Sequence, residues 1–595
     1  MTKKLMKKDI ILLVKEKSGS YLRTIGSFAK DNWGLAVPLL YGCLLLAIHK
    51  FILLSCGINK SFFNPWFQSV HFVLLIYSVG WILPNWLAKL YFSCLILLST
   101  LLTGISCFLL SVFKIPLTPD IYYVLAASSV QESLEFIRIY FNWKVWALFI
   151  FCCAFFASVL YLIWRGPVRR GKVTFAVVAA LMIPYLINVI RFSAKGEYEP
   201  LYKRNLEFEM AIAFSEYKTD LDRLVSMVMR PKLPRDIKMK YHGKIVGVLV
   251  IGESATRNHW GLYGYYRNTT PEMERIRKDI LIFDDAAAAI ANTCASCRMM
   301  FSTAEYPSKL PLDYTVFPVL RAAGYKVFLI SNQFRLGPFD GPVNILYTGL
   351  DSKVFLQEKF PGAKDGIVLD TLQKYMTETD GPVLIVVHLI GSHDNYAERY
   401  PQDFDKFGSS NDPYKVGFSQ KFRCQVINEY DNSILYTDHI LGKIIKMVQE
   451  QPCPGCMLYL ADHGECPEIA GSRSIFSLFF TCYEVPMIFY GNERYKKHFP
   501  ELMKAAAENT GKPYLTDWLN YSILSVAQVT HAGFPAEKDI FSAKFKEREN
   551  RQVGEQHMPY RNLRVKKPFF VDKHGTVKHL EKPIGNRMAE ISLKR

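Results

Sequence analysis

Apolar positions fall into two regimes along the chain: runs of membrane-spanning length up to about residue 190, then short runs set between polar stretches. A helix needs about 20 apolar residues to cross a ~30 Å hydrocarbon layer. Five runs meet that length, at approximately 35–57, 69–88, 91–113, 145–164 and 173–190. The first starts late and is not followed by a small-residue cleavage site, so it reads as an anchor rather than a removable signal. Downstream, apolar runs of strand length at 245–251, 327–330, 383–387, 457–460 and 486–490 are separated by stretches long enough for helices, the pattern of a parallel sheet with helical crossovers. Continuous rather than alternating apolar runs suit strands covered on both faces. The predicted fold class is an α-helical membrane bundle of five transmembrane helices plus an α/β soluble domain with a mostly parallel central sheet. The expected boundaries are 1–190 for the bundle, 191–235 for a helical linker ending in Arg230-Pro231-Lys232-Leu233-Pro234, 236–545 for the soluble domain and 546–595 for a tail.

Charge placement orients the bundle. The first 30 residues carry Lys3, Lys4, Lys7, Lys8, Lys15, Lys17, Arg23 and Lys30, and the loop at 165–172 carries Arg165, Arg169, Arg170 and Lys172. The intervening loops hold far fewer basic residues, so the positive-inside rule keeps the N-terminus cytoplasmic, and five crossings put everything after about residue 190 outside. The net charge of +18 then fits work beside anionic lipid, and nucleic acid is not an expected partner. Half the residues are hydrophobic and 21% charged, which excludes a disordered chain. In an oxidising compartment the turn Cys453-Pro454-Gly455-Cys456 could close a small disulfide loop.

In open α/β sheets chemistry gathers beyond the carboxyl ends of the strands. Three of the apolar runs are followed by metal-competent groups: Gly252-Glu253-Ser254, then His388-Leu389-Ile390-Gly391-Ser392-His393, then Ala461-Asp462-His463-Gly464-Glu465. Carboxylates and imidazoles brought together in this way suit one divalent metal, Zn²⁺ or Mn²⁺. Between the first two lies Ala291-Asn292-Thr293-Cys294-Ala295-Ser296-Cys297-Arg298. A hydroxyl at a helix N-terminus beside a cation is a nucleophile for phosphorus. Position alone leaves Thr293, Ser296 and an ordinary helix cap open.

These residues, in this order, resemble the phosphoethanolamine transferases of the bacterial inner membrane, within the alkaline phosphatase and sulfatase superfamily. The resemblance also takes in Gly261-Leu262-Tyr263-Gly264-Tyr265, Asn268-Thr269-Thr270-Pro271 and Glu429-Tyr430-Asp431-Asn432-Ser433-Ile434-Leu435-Tyr436-Thr437-Asp438. It implies an alkaline-phosphatase-like soluble domain in the periplasm, in which Glu253, Thr293, Asp462 and His463 hold one zinc, or one of two. Thr293 would be the nucleophile and His393 the phosphoryl contact, with His388 as a further candidate. Glu132, in Gln131-Glu132-Ser133-Leu134-Glu135, would meet the donor headgroup. The implied reaction takes phosphoethanolamine from phosphatidylethanolamine, holds it on the threonine, releases diacylglycerol and passes the group to an envelope glycolipid or glycan such as lipid A or core lipopolysaccharide. A monomer is expected.

Two departures keep other readings open. No histidine lies between Cys466 and Glu484, where many relatives have one, and Cys294-Ala295-Ser296-Cys297-Arg298 is close to the sulfatase pattern Cys-x-Pro-x-Arg. The alternatives are a phosphoglycerol transferase, a sulfatase or phosphodiesterase of the same superfamily, or an inactive lipid-binding envelope protein. The tail is basic, with a net charge of +8 over 541–595, which suits an acidic glycolipid acceptor.

Overall fold

The computed structural model describes residues 33–55, 79–112, 143–166, 206–307, 313–333, 342–408, 418–467, 479–554 and 557–563, the short strands at 569–571 and 577–579, and isolated positions at 73, 76, 77, 122 and 137. The described residues divide into two compact units that meet along the chain at Glu216 and Tyr217.

Three helices dominate the first unit: α1 (Trp33–Ser55), α2 (Asn85–Val112) and α3 (Trp143–Arg165). Their shared core contains Tyr41, Leu46, Phe92, Ile96, Val159 and Ile163. Polar pairs also face inward, with His49 Nε2 2.9 Å from Ser106 Oγ and Tyr41 Oη 2.9 Å from Thr100 Oγ1. Leu40, Phe51, Trp86, Leu101 and Ile150 point outward and are exposed. Polar pairs inside and apolar residues outside suit a hydrocarbon surround, where an unpaired polar group is costly.

Five separate spans are not seen among the described residues. One helix, Asn85–Leu110, is long and apolar enough to cross a membrane; Ala36–His49 and Cys152–Arg165 are shorter apolar stretches. The run expected at 69–88 is broken by a turn near Trp81 before α2 begins. The run at 173–190 lies outside the described residues.

Helix α4 (Leu206–Met229) runs across the boundary, its residues from Tyr217 on belonging to the second unit, which is built on a seven-stranded sheet. Its strands are β1 (Val246–Gly252), β2 (Ile280–Ile282), β3 (Lys326–Ser331), β4 (Ser352–Phe355), β5 (Val383–His388), β6 (Gly455–Ala461) and β7 (Met487–Gly491), in the order β2-β7-β6-β1-β5-β3-β4. Every residue of β1, β5 and β6 is buried, as continuous apolar runs require. Pairings among β6, β1, β5, β3 and β4 are parallel, but β7 runs antiparallel to β6 and to β2. The sheet is therefore mixed. The run at 486–490 returns beside its predecessor, which needs no helical crossover when the neighbours are antiparallel.

Register decides the rest. Ile251 of β1 lies opposite His388 of β5, and Gly252 lies opposite Ala461 of β6. The three central strands thus end level, and whatever follows them is brought side by side.

Cys453 and Cys456, which could have closed a small loop, are both free thiols. Cys456 belongs to β6, where pairing with β1 fixes it opposite Gly247 and its side chain is buried against Tyr495. Cys453 remains half-buried in the preceding turn. Beyond residue 545 the chain continues to pack on the domain: Val553 and Leu563 are buried, and Gln552–Val553 pairs with Met558–Pro559.

Candidate metal centre and active site

Glu253 leaves β1 and Asp462 leaves β6, adjacent strands whose last residues are paired. With His463 they form a group whose ligand atoms all lie within 4.8 Å of one another. Glu253, Asp462 and His463 are 2%, 0% and 8% exposed, so this is an interior site. Ser254 takes a positive φ of 54°, which turns the chain sharply after the strand. Its amide donates to Asp462 Oδ1 (3.0 Å), as does that of His463 (2.7 Å), and its hydroxyl donates to Glu253 Oε1 (2.8 Å).

These bonds leave one carboxylate oxygen over. Asp462 Oδ2 is buried and has no hydrogen-bond partner among the described residues. It lies 3.5 Å from His463 Nε2, which is also 3.5 Å from Glu253 Oε1. His463 Nδ1 is 2.8 Å from the Gly464 carbonyl, which only accepts, so Nδ1 carries a proton and Nε2 is the ring nitrogen left to face a metal. A buried carboxylate oxygen without a hydrogen-bond partner is costly unless a cation meets it, and the donor set of two carboxylates, one imidazole and one hydroxyl fits zinc.

The hydroxyl is that of Thr293. It opens α5 (Thr293–Phe301), and Asn292, not Thr293, is the cap: Asn292 Oδ1 accepts from the Ala295 amide at 2.8 Å. Thr293 Oγ1 is thereby released from capping and lies 3.2 and 3.1 Å from the two Glu253 oxygens. Ser296, the other candidate, donates instead to the Asp462 carbonyl at 2.5 Å.

Burial, reinforced by the Asp462 charge, pushes the Glu253 carboxyl up to about 7, against the opposing pull of His463, His388 and Ser254. Burial draws His463 down, but the Asp462 and Glu253 carboxylates outweigh it and raise its pKa. For His388 burial wins over Glu253 and lowers the imidazole to about 4, so it is neutral at physiological pH, with Nε2 buried and without a partner among the described residues. His393 stands five residues on in a partly exposed loop, where Arg399 Nε donates to its carbonyl at 3.0 Å. Glu132 lies outside the described residues.

Other residues hold the site in shape. Gln333 Nε2, just past the end of β3, donates to Glu253 Oε2 (3.2 Å) and to the Leu389 carbonyl (2.7 Å). Looking past that strand end, as past the other three, would have found it. Asp365 accepts from the Ile390 and Gly391 amides, both at 2.9 Å, fixing the turn between His388 and His393. The long helix α6 (Phe418–Gln449) supplies a row of polar anchors. Tyr430 Oη donates to the Ser254 carbonyl and accepts from the Thr256 amide, both at 2.8 Å. Asp431 takes bonds from His259, Tyr265 and Arg267, and Asp438 accepts the Glu272 and Met273 amides at the start of Pro271–Arg275. The sequence run 429–438 is thus scaffolding seated against the β1 exit. Its helical spacing gave no sign of which partners it would meet.

Residues 246–528 match the sulfatase family model. Over that stretch the chain is similar to the sulfatase family, a class that the level strand ends and the groups beyond them suit. More particularly, it is similar to phosphoethanolamine transferases. It is 24% identical over 458 residues to phosphoethanolamine transferase EptC of Escherichia coli (strain K12), covering 72% of this chain and 78% of that protein. It is 26% identical over 454 residues to EptA of Helicobacter pylori, covering 72% and 80%. Among solved structures, the integral membrane lipooligosaccharide phosphoethanolamine transferase A of Neisseria meningitidis shares the fold over 87% of this chain and 99% of its own, with a TM-score of 0.61 and 17% identity. The zinc complex of the C-terminal periplasmic domain of E. coli EptC matches 56% of this chain and 97% of its own, with a TM-score of 0.51 and 23% identity.

Proposed function

We propose that this chain is a multi-pass inner-membrane enzyme that moves phosphoethanolamine from phosphatidylethanolamine to an envelope glycolipid, with its catalytic domain in the periplasm. The observation that carries the reading is the uncapped Thr293 hydroxyl at the start of α5, within 3.2 Å of both oxygens of a buried glutamate that shares a ligand group with Asp462 and His463. A sulfatase would use a cysteine-derived group, and Cys294 is buried beside Thr293. Glycolipid acceptors are supported by a further relative, the Kdo(2)-lipid A phosphoethanolamine 7''-transferase of E. coli (strain K12), 31% identical over 228 residues that cover 37% of this chain and 38% of that protein.

Glu253, Asp462, His463 and Thr293 would hold zinc, which supplies a Lewis acid that lowers the pKa of the hydroxyl and offsets charge on the phosphoryl oxygens. In the first half-reaction Thr293 Oγ1 attacks phosphorus and gives up its proton to water. The bond from phosphorus to the diacylglycerol oxygen breaks, and that oxygen takes a proton from His393. In the second, the acceptor hydroxyl or phosphate oxygen attacks the same phosphorus. A hydroxyl acceptor gives its proton to His393, which regains it from water when the acceptor is a phosphate; the bond to Thr293 breaks and Oγ1 recovers its proton from water. Neutral His388 orients the β5 end beside Glu253. The carbonyl clamp of Arg399 fixes the His393 loop, and Glu132 would pair with the donor ammonium.

Peptide mass spectrometry after incubating zinc-loaded protein with phosphatidylethanolamine tests this. A phosphoethanolamine adduct is expected on the peptide containing Thr293 and not in Thr293→Ala. Formylglycine at Cys294 would favour a sulfatase instead, and absence of both modifications together with absent turnover would favour an inactive binding protein.

A further inference from the structure

The turn that precedes β7 holds three active-site segments at once. The Cys482 carbonyl accepts from the Gly464 amide (3.0 Å), next to His463; the Tyr483 carbonyl accepts from Ala288 (2.7 Å), on the way to Thr293; the Glu484 carbonyl accepts from Arg257 (3.1 Å), just beyond Glu253. Contact is close: a Cβ on Gly464 would fall 2.0 Å from the Thr481 carbonyl oxygen, so this turn and the His463 loop have no room to shift independently.

What fixes the turn is the Glu484 side chain. It is buried, with Oε1 bonded to Arg257 Nη2 at 2.8 Å and Oε2 to Asn258 Nδ2 at 2.7 Å. Its remaining partner comes from far along the chain: Tyr560 Oη donates to Oε1 at 2.6 Å. Tyr560 is itself held, with the Arg551 guanidinium 4.3 Å above its ring and Phe480 edge-on at 4.9 Å. The same C-terminal stretch grips the approach to Thr293 a second time, since Gly554 donates to the Ala289 carbonyl at 2.9 Å and Arg551 bonds Asp285 at 2.7 Å.

We propose that Tyr560 is a positioning residue for the metal centre: its hydroxyl, through Glu484, keeps the 482–484 turn in the one arrangement that aligns the segments bearing Glu253, Thr293 and His463. The stretch 551–563 is then part of the catalytic apparatus rather than a solvated tail. The inference rests on the zinc-dependent reading above. Partners behind a metal's ligands commonly change its affinity by about 10- to 100-fold; a hydroxyl one residue further removed is expected to have a smaller effect.

Full-length protein and its Tyr560→Phe variant test it, since phenylalanine keeps the ring against Arg551 and Phe480 and removes only the hydroxyl. Zinc affinity by chelator competition is expected to fall about fivefold. The kcat for diacylglycerol release from phosphatidylethanolamine should fall with it while KM is unchanged, and the thermal midpoint of the zinc-free protein should drop only slightly, because Arg257 still pairs Glu484 Oε1. Glu484→Gln, which weakens the Arg257 pair at constant length, is expected to act in the same direction and serves if Tyr560→Phe does not fold. Wild-type zinc affinity and kcat in the variants overturn the proposal, as does a loss matched by an equal drop in the zinc-free midpoint, which would mark a purely structural role. Wild-type protein that binds zinc but releases no diacylglycerol sinks the transferase reading separately, and the zinc affinities then decide on Tyr560.

Discussion

Gly391 lies so close to Glu253 that a Cβ added to it would sit 2.9 Å from both the amide nitrogen and the carbonyl oxygen of Glu253. Its φ of +47° is also one that residues with side chains rarely adopt. The Ser392 amide donates to the same Glu253 carbonyl at 3.0 Å, so the turn after β5 is laid directly on the backbone of a candidate metal ligand. Gly391→Ala is therefore expected to cost about 2–3 kcal/mol of stability through strain and overpacking. It should weaken zinc binding as well, because Glu253 must move to relieve the clash. Chemical denaturation and chelator competition on the same preparation check both; unchanged zinc affinity would show that the turn and Glu253 move independently.

Tyr430 ties α6 to the left-handed turn at Ser254. Tyr430→Phe leaves a buried carbonyl and a buried amide unpaired, and the expected loss is about 1–3 kcal/mol. Turnover should fall too, since Ser254 contacts both Glu253 and Asp462. Urea denaturation measures the first effect, and diacylglycerol release the second.

Glu253 supplies a pH test. Its pKa in the zinc-free fold is raised from an ordinary 4.5 to about 7, so the unfolded chain gives up this proton first. Its contribution to stability is fully present below about pH 4.5 and is lost as pH rises through about 7. The zinc-free protein should therefore show a thermal midpoint that declines over that window, and Glu253→Gln should flatten the decline. Zinc affinity should rise over the same window, because ligation requires the carboxylate. A midpoint whose pH dependence is the same in both proteins would remove Glu253 as the titrating group.

The topology has a direct test. If the five apolar runs all cross from a cytoplasmic N-terminus, a reporter fused after residue 200 is expected to register on the external side of the membrane. A cytoplasmic signal would overturn the five-span arrangement.

Much of this was legible in the chain before it folded. Continuous apolar runs announce strands buried on both faces, and the residues just past them, Glu253, His388, Asp462 and His463, announce where ligands gather, because parallel strands of one sheet end on one side. Those are local properties of sequence, set by the chain's periodicity and by which side chains can bind a cation.

Other features were set only by contacts between distant segments. Thr293 and Ser296 are both hydroxyls of one short helix, and only the capping by Asn292 and the closeness of Glu253 separate them. The antiparallel return of β7, the reach of Gln333 to Glu253 and the anchoring of Tyr560 on Glu484 join residues 27 to 35, 80 and 76 apart. The sequence by itself determined which elements form and which groups can do chemistry, because burial and side-chain identity are written residue by residue. The tertiary structure decided which of those groups meet, because hydrogen-bond geometry across tens of residues depends on strand register and packing.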